Sequence, residues 1–418
     1  MRAVYYNIGS LVGFRSKSPS HHDKSIIMKD IGIVVNNGVI ESIKDSIELV
    51  QEYSINSETT MTHEDINFHN VEGQAVVPGL IDAHTHLLWA GDRSKEVAWR
   101  REGLSYSEIA SMGGGIQHTV RATREATDDH LFALGYQRMR EALRTGTTHM
   151  EAKSGYGLDT PSELRLLDIA AKLNDVGHTP SLDLTWMGAH DVPKGLEGDE
   201  YVEHLLSEQL PAVREQGLAR SADVFCEPGW FSLEQSEDIL RASRKEGLAL
   251  RMHVDEFSDG SGGALACELG VETADHAYHT PFEVREAMKD RNVNTGFLPG
   301  TPYAMGDQWP DMHQVVESEI PFTLATDFNP NCRTLSLPFM CSLMVQRCGM
   351  HPLDALAAVS VRAGKTTPHP SGRPHGVLEE GAVANFNIVD GPHWESIALR
   401  PSTTPFSGTV LGGRFIAH

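Results

Sequence analysis

Between residues 80 and 326 the sequence alternates, eight times over, a short apolar run with a charged stretch of helical composition. The apolar runs lie at 80–84, 147–152, 182–187, 222–226, 248–253, 272–274, 293–298 and 322–326. Stretches such as "LEQSEDILRASRKEG" lie between them. Runs this short and this apolar read as strands buried on both faces, and the separations are long enough for a crossover helix. Eight consecutive strand–helix units predict a closed (β/α)8 barrel, in which functional side chains gather at the C-terminal ends of the strands.

The ends of the chain follow another pattern. "IGIVVNNGVIESI" (31–43) alternates around Asn37-Gly38, a hairpin signal. Residues 383–390 and 408–418 read as further strands, the latter turning at Gly412-Gly413. The stretch "TTPHPSGRPHG" (366–376) reads as a linker. The expected fold is therefore α/β, a TIM-like barrel over 76–365 flanked by all-β segments at 1–75 and 366–418. In the long first connection, "SMGGGIQHTVRATR" (111–124) suits either a loop over the barrel mouth or a plain turn before a helix.

A net charge of −22 opposes nucleic acid or an anionic membrane as partner, and an anionic substrate would need a local basic patch. No apolar run approaches the ~18–20 residues of a membrane span, and no secretory leader is recognisable. The five cysteines are odd in number and lack a Cys-x-x-Cys spacing, as expected of reduced thiols in a cytoplasm.

Reading only the expected strand ends gives His84 and His86 on the first strand and Lys153 past the second. His190 follows the third, Glu227 the fourth, His253 the fifth, His276 the sixth and Asp327 the eighth. Each alone has an ordinary explanation as a core histidine, a helix cap or a solvated lysine. Histidines and an aspartate gathered at the expected strand ends point to a metal site. Residues i and i+2 of a strand share a face, so His-x-His presents two imidazoles to one ion. Imidazoles with a carboxylate suit a Lewis-acidic ion of borderline softness, with water in the open position.

"PGLIDAHTH", "HVDE" (253–256), "ADH" (274–276) and "ATDFNP" (325–330) resemble the amidohydrolase superfamily of metal-bearing barrels, which implies a small β-sandwich domain built from both chain ends, 1–75 and 366–418. "HLLWAGDR", "GGGI", "KSGYGL", "MGAH", "DVFCE" and "FLPGT" resemble its imidazolonepropionase branch, in order from about Val76 to Pro330. The resemblance implies one divalent or trivalent ion per chain, zinc or iron, held by His84, His86, His253 and Asp327. It makes Glu256 and Asp327 the acid/base groups and His276 the carbonyl-polarising residue. Arg93, Tyr106, Tyr156, His190, Glu256 and Asn329 would bind a small anionic cyclic amide, Arg93 gripping its carboxylate. The implied reaction is hydrolysis of the ring C–N bond of 4-imidazolone-5-propanoate in histidine degradation, with a homodimer as a candidate assembly.

Two features depart from the resemblance. Family members follow "DFNP" with glycine and Ser or Thr, where this chain has Asn331-Cys332-Arg333, which makes Arg333 the reserve carboxylate clamp. The fourth strand, "SADVFCEPG", lacks the lysine of two-metal relatives, so one ion is expected and Lys153 falls to a structural or substrate role. A cytosine-like ring deaminase on the same scaffold, and a metal-free scaffold or binding protein, are the alternative readings.

Overall fold

Asn37 and Gly38 both adopt left-handed φ angles, 48° and 79°, the conformation a two-residue hairpin turn demands. They join β2 (Ile27–Asn36) to β3 (Val39–Asp45), and β2 runs antiparallel to β1 (Arg2–Val12). The computed structural model describes residues 2–16, 26–55, 66–104, 106–306 and 308–418, without the side chains of Tyr106, Ser107 and Ala110. On its other edge β1 takes two parallel partners in succession, β4 (Ile66–Asn70) and β5 (Ala75–Pro78). The crossing between them needs a glycine, because a Cβ on Gly9 would stand 2.2 Å from the carbonyl oxygen of Gly73.

The barrel follows with β6 (Leu80–Asp82), β7 (Thr147–Lys153), β8 (Ser181–Ala189), β9 (Ser221–Cys226), β10 (Ala249–Val254), β11 (Thr273–His276), β12 (Asn294–Phe297) and β13 (Phe322–Leu324). All eight expected strands are present, each parallel to its sequence neighbours. The chain returns to the small domain as β14 (Phe386–Val389), β15 (Phe406–Leu411) and β16 (Arg414–Ala417), with β14 paired to β5. Strands from both chain ends thus form one eight-stranded sheet.

Side chains and loop amides, not a strand ladder, join β6 to β13. Asp82 accepts the amide and hydroxyl of Thr326 at 3.0 and 2.6 Å, and the amide of Asp327 donates to His84 O at 3.1 Å. The first strand ends earlier than expected, at Asp82, and His84 and His86 lie in the segment this seam holds. Among the helices, Leu233–Lys245 begins with a capping box between Ser232 and Gln235. The glycines at 113–115 form a turn into the helix Gly115–Glu125, not a separate lid.

The lumen is unusual. TIM barrels commonly fill it with branched apolar residues. Here alternate strand positions place Glu151 and Lys153, Asp183 and Thr185, Asp223, Arg251 and Asp275 inside, all buried. The stretch expected as a linker closes the floor, where Arg251 donates to Thr366 O and His375 stacks edge-on against His149 with ring centres 5.0 Å apart.

Candidate metal centre and substrate cavity

Three imidazoles and a carboxylate converge at the mouth of this lumen. His253 Nε2 lies 3.4 Å from His86 Nε2, and Asp327 Oδ1 lies 3.5 Å from His84 Nε2 and 3.7 Å from His86 Nε2. Ligand atoms of His84, His86 and Asp327 all fall within 4.8 Å of one another, as do those of His84, His253 and His276. Left-handed φ angles of 65° at His276 and 49° at Asp327 turn the chain at the two strand ends. For non-glycine residues that conformation costs about 1–3 kcal/mol each and tends to mark functional sites.

The donor set fits a bound ion. His84 is buried, yet among the described residues its Nε2 has no hydrogen-bond partner, a loss of about 1–3 kcal/mol that a coordinate bond would remove. Its Nδ1 meets Asp275 at 2.7 Å, and His253 Nδ1 meets Asp223 at 3.0 Å. A carboxylate at Nδ1 holds the proton there and leaves the Nε2 lone pair for a metal. Burial and neighbouring cations keep His84 and His86 well below the usual histidine pKa, so both are neutral and able to ligate.

Beneath them runs a ladder of ion pairs. Lys153 Nζ bonds Asp223 at 2.5 Å and Glu151 at 2.7 Å, and Glu151 lies 3.6 Å from Arg251 Nε. Arg251 reaches Asp183 at 3.5 Å, and Asp183 meets the partly exposed Arg220 at 2.7 Å. Burial alone would raise the Asp223 pKa, but His253 and Lys153 outweigh it and hold the carboxyl charged. Lys153 therefore lies beneath the candidate ligands, paired with two carboxylates, and does not line the cavity above them. Asp223 and Asp275, which hold the imidazoles of His253 and His84, are positions that the strand-end reading missed. The available signal was charge inside otherwise apolar strands.

Above the centre opens a cavity of about 80 Å³. Arg93, Tyr156, His190, Glu256, His276, Asp327 and Asn329 all line it; the side chain of Tyr106 lies outside the described residues. Glu256 Oε2 is 3.6 Å from His276 Nε2. Glu227 accepts the amides of Glu256, Phe257 and Ser258, which makes it the anchor of the loop carrying Glu256. His190 bonds the carbonyl of Gly155 through Nδ1 at 2.9 Å, so its proton sits there and Nε2 is an acceptor. Burial lowers its pKa to about 3. Phe225, Trp230 and Phe257 add an aromatic wall that sequence reading did not anticipate.

Arg93 is buried, with Nε and Nη2 bonded to Glu96 at 2.8 Å each. Glu96 also accepts the amide of Gly115 and lies 3.9 Å from Arg100, so two guanidinium groups share one carboxylate at this wall. Asn329 spends its amide locally, donating to Asp327 O and accepting from Asn331 N. In the divergent loop Asn331 and Cys332 line the cavity. Arg333 does not line it; it is half exposed, 3.5 Å from Asp92 and 5.3 Å over Trp89, so it is removed as the reserve clamp.

The sequence model of the amidohydrolase family matches residues 75–414, the barrel and most of the returning sheet. This chain belongs to the amidohydrolase family. Within the family it is 36% identical to imidazolonepropionase of Haloarcula marismortui, over 93% of this chain and 90% of that protein. It is likewise 36% identical to imidazolonepropionase of Geobacillus kaustophilus, over 94% and 92%. Among solved amidohydrolase-like folds, Aspergillus niger ochratoxinase superposes with a TM-score of 0.70 at 17% identity, covering 99% of this chain and 95% of that one. This amidohydrolase thus sits, by sequence, among the imidazolonepropionases.

Proposed function

We propose that the chain hydrolyses the ring C–N bond of 4-imidazolone-5-propanoate to N-formimino-L-glutamate, in histidine degradation. The observation that carries the reading is one cavity joining the His84–His86–His253–Asp327 donor set to the Glu256–His276 pair and to Arg93. The near full-length likeness to proteins named imidazolonepropionase supports the substrate.

His84, His86, His253 and Asp327 would hold one zinc or iron ion. When bound, the ion supplies Lewis acidity, bringing the pKa of water toward neutrality and polarising a carbonyl. The remaining steps belong to the side chains. Arg93, held by Glu96, binds the propanoate carboxylate through charge-assisted hydrogen bonds. His190 accepts a ring N–H at Nε2, and Tyr156 packs beside it with ring centres 5.0 Å apart. Asp327, whose pKa burial raises to about 6, and Glu256 take the proton from the attacking water and deliver it to the leaving ring nitrogen. The water oxygen bonds the carbonyl carbon, the C–N bond breaks, and that nitrogen leaves protonated. His276 donates to the carbonyl oxygen as negative charge develops there.

The test is to incubate purified, metal-loaded protein with imidazolone propanoate and follow its ring absorbance alongside ammonia. Loss of absorbance without ammonia is the expected result. One equivalent of ammonia from a cytosine-like ring would instead make the chain a deaminase.

A further inference from the structure

At the opposite face of the barrel, three adjoining clefts run between the barrel floor, the 366–377 segment and the C-terminal hairpin. The first shares His178 and Arg414 with the second, and His369 and Arg373 with the third. Of the 418 residues 57 are Asp or Glu, yet none lines any of the three. Arg140, Arg144, Lys365, Arg373 and Arg414 do line them, all solvent-exposed.

Among the described residues, none of these five cations has a carboxylate within 4.0 Å. Arg414 donates to His178 Nε2 at 2.9 Å, and Arg373 donates to Gly381 O at 3.4 Å. Glu379, near Arg373 in sequence, is turned to the amide and hydroxyl of Ser16.

A chain of charge −22 that keeps one trough free of Asp and Glu side chains and lines it with guanidinium groups has there a patch opposite in sign to its net charge. Charges farther off than a Debye length, about 8 Å in physiological salt, are largely screened, so the local cations govern what binds there. Guanidinium forks match phosphate oxygens, and cations spread along a trough favour an extended, multiply charged ligand over a monoanion. We propose that this trough is a binding site for an oligophosphate chain, inorganic or carried by a nucleotide.

The test is titration calorimetry of the full, metal-loaded chain with tripolyphosphate and, separately, with ATP, metal content being checked after each run. Saturable binding that weakens with salt is expected, reduced about tenfold or more by joint Arg373→Ala and Arg414→Ala substitution, the effect of losing roughly one charge-assisted hydrogen bond. Arg93→Met should leave it unchanged, which separates this site from the substrate cavity. Equal affinity for the two probes means that the phosphate chain alone is read; tighter ATP binding means that the nucleoside also seats. Arg140→Glu with Arg144→Glu is the second variant, should the first pair disturb the floor. Binding weaker than about 1 mM at low salt, or binding insensitive to both variants, overturns the proposal. So does self-association in sedimentation that the same substitutions abolish, because the occupant would then be the acidic surface of a second copy.

Discussion

In the proposed reaction Glu256 serves the chemistry and Arg93 the recognition, and substitutions separate the two. Glu256→Gln keeps the shape and removes the proton chemistry, so kcat should fall about 10²–10⁴-fold, the range of a positioned acid or base. Metal content should be unchanged, since Glu256 is outside the ligand set. Unchanged turnover would pass the role to Asp327 alone. Arg93→Met removes the guanidinium and leaves Glu96 with Arg100 and the Gly115 amide. The loss should be about 1.5–3 kcal/mol of binding, seen chiefly in KM. An imidazolone lacking the propanoate should be turned over equally poorly by both proteins. A mutant that loses as much on that truncated substrate would show that Arg93 does not grip the carboxylate.

At the scale of elements, the two ends of the barrel ask different things of their buried charges. The lumen ladder serves the ligands above it: without Lys153, Asp223 loses a cation and His253 loses a firmly charged partner. Lys153→Met should weaken metal binding about 10–100-fold in a chelator competition, the usual effect of removing an outer-shell partner. Arg at 153 should restore part of it, and an unchanged metal affinity would reduce the lysine to packing. At the floor, burial first and His369 second lower the His375 pKa to about 4. The native state therefore resists a proton that the unfolded chain accepts below about 6.5. Its contribution is complete above pH 6.5 and is lost as pH falls toward 4, on the order of 3 kcal/mol. Thermal melts should show this slope in the native protein and a shallower one in His375→Phe; equal slopes would refute it.

For the whole molecule, the proposed ion would be a matter of chemistry more than of folding. A core this extensive does not depend on one ion, unlike a small zinc domain. Metal analysis should find about one ion per chain, the number the ligand set closes around. Removing it should abolish hydrolysis, leave the far-ultraviolet dichroism intact and lower Tm only by the linkage term. Active protein with no metal, or with two ions, would contradict this account.

Eight apolar runs and two hairpin dipeptides were enough to define the barrel and the all-β chain ends, and the order of the histidines to mark the strand ends as a site; the union of the two chain ends in one domain and the choice of four ligands rested on the resemblance to the amidohydrolases. The runs and dipeptides are local: strand periodicity and turn chemistry act over a few residues, and strand ends bring distant histidines together whatever fills the barrel. Tertiary structure alone decided which charges meet. Whether Arg93 lies buried against Glu96, whether Arg333 enters the cavity, and whether 366–376 dangles or seals the floor depend on contacts between segments far apart in the chain. Glu151, Asp223 and Arg251 lie on three different strands, and a buried charge is tolerable only when its partner arrives from elsewhere. A sequence shows the charge, and only the closed barrel supplies the partner.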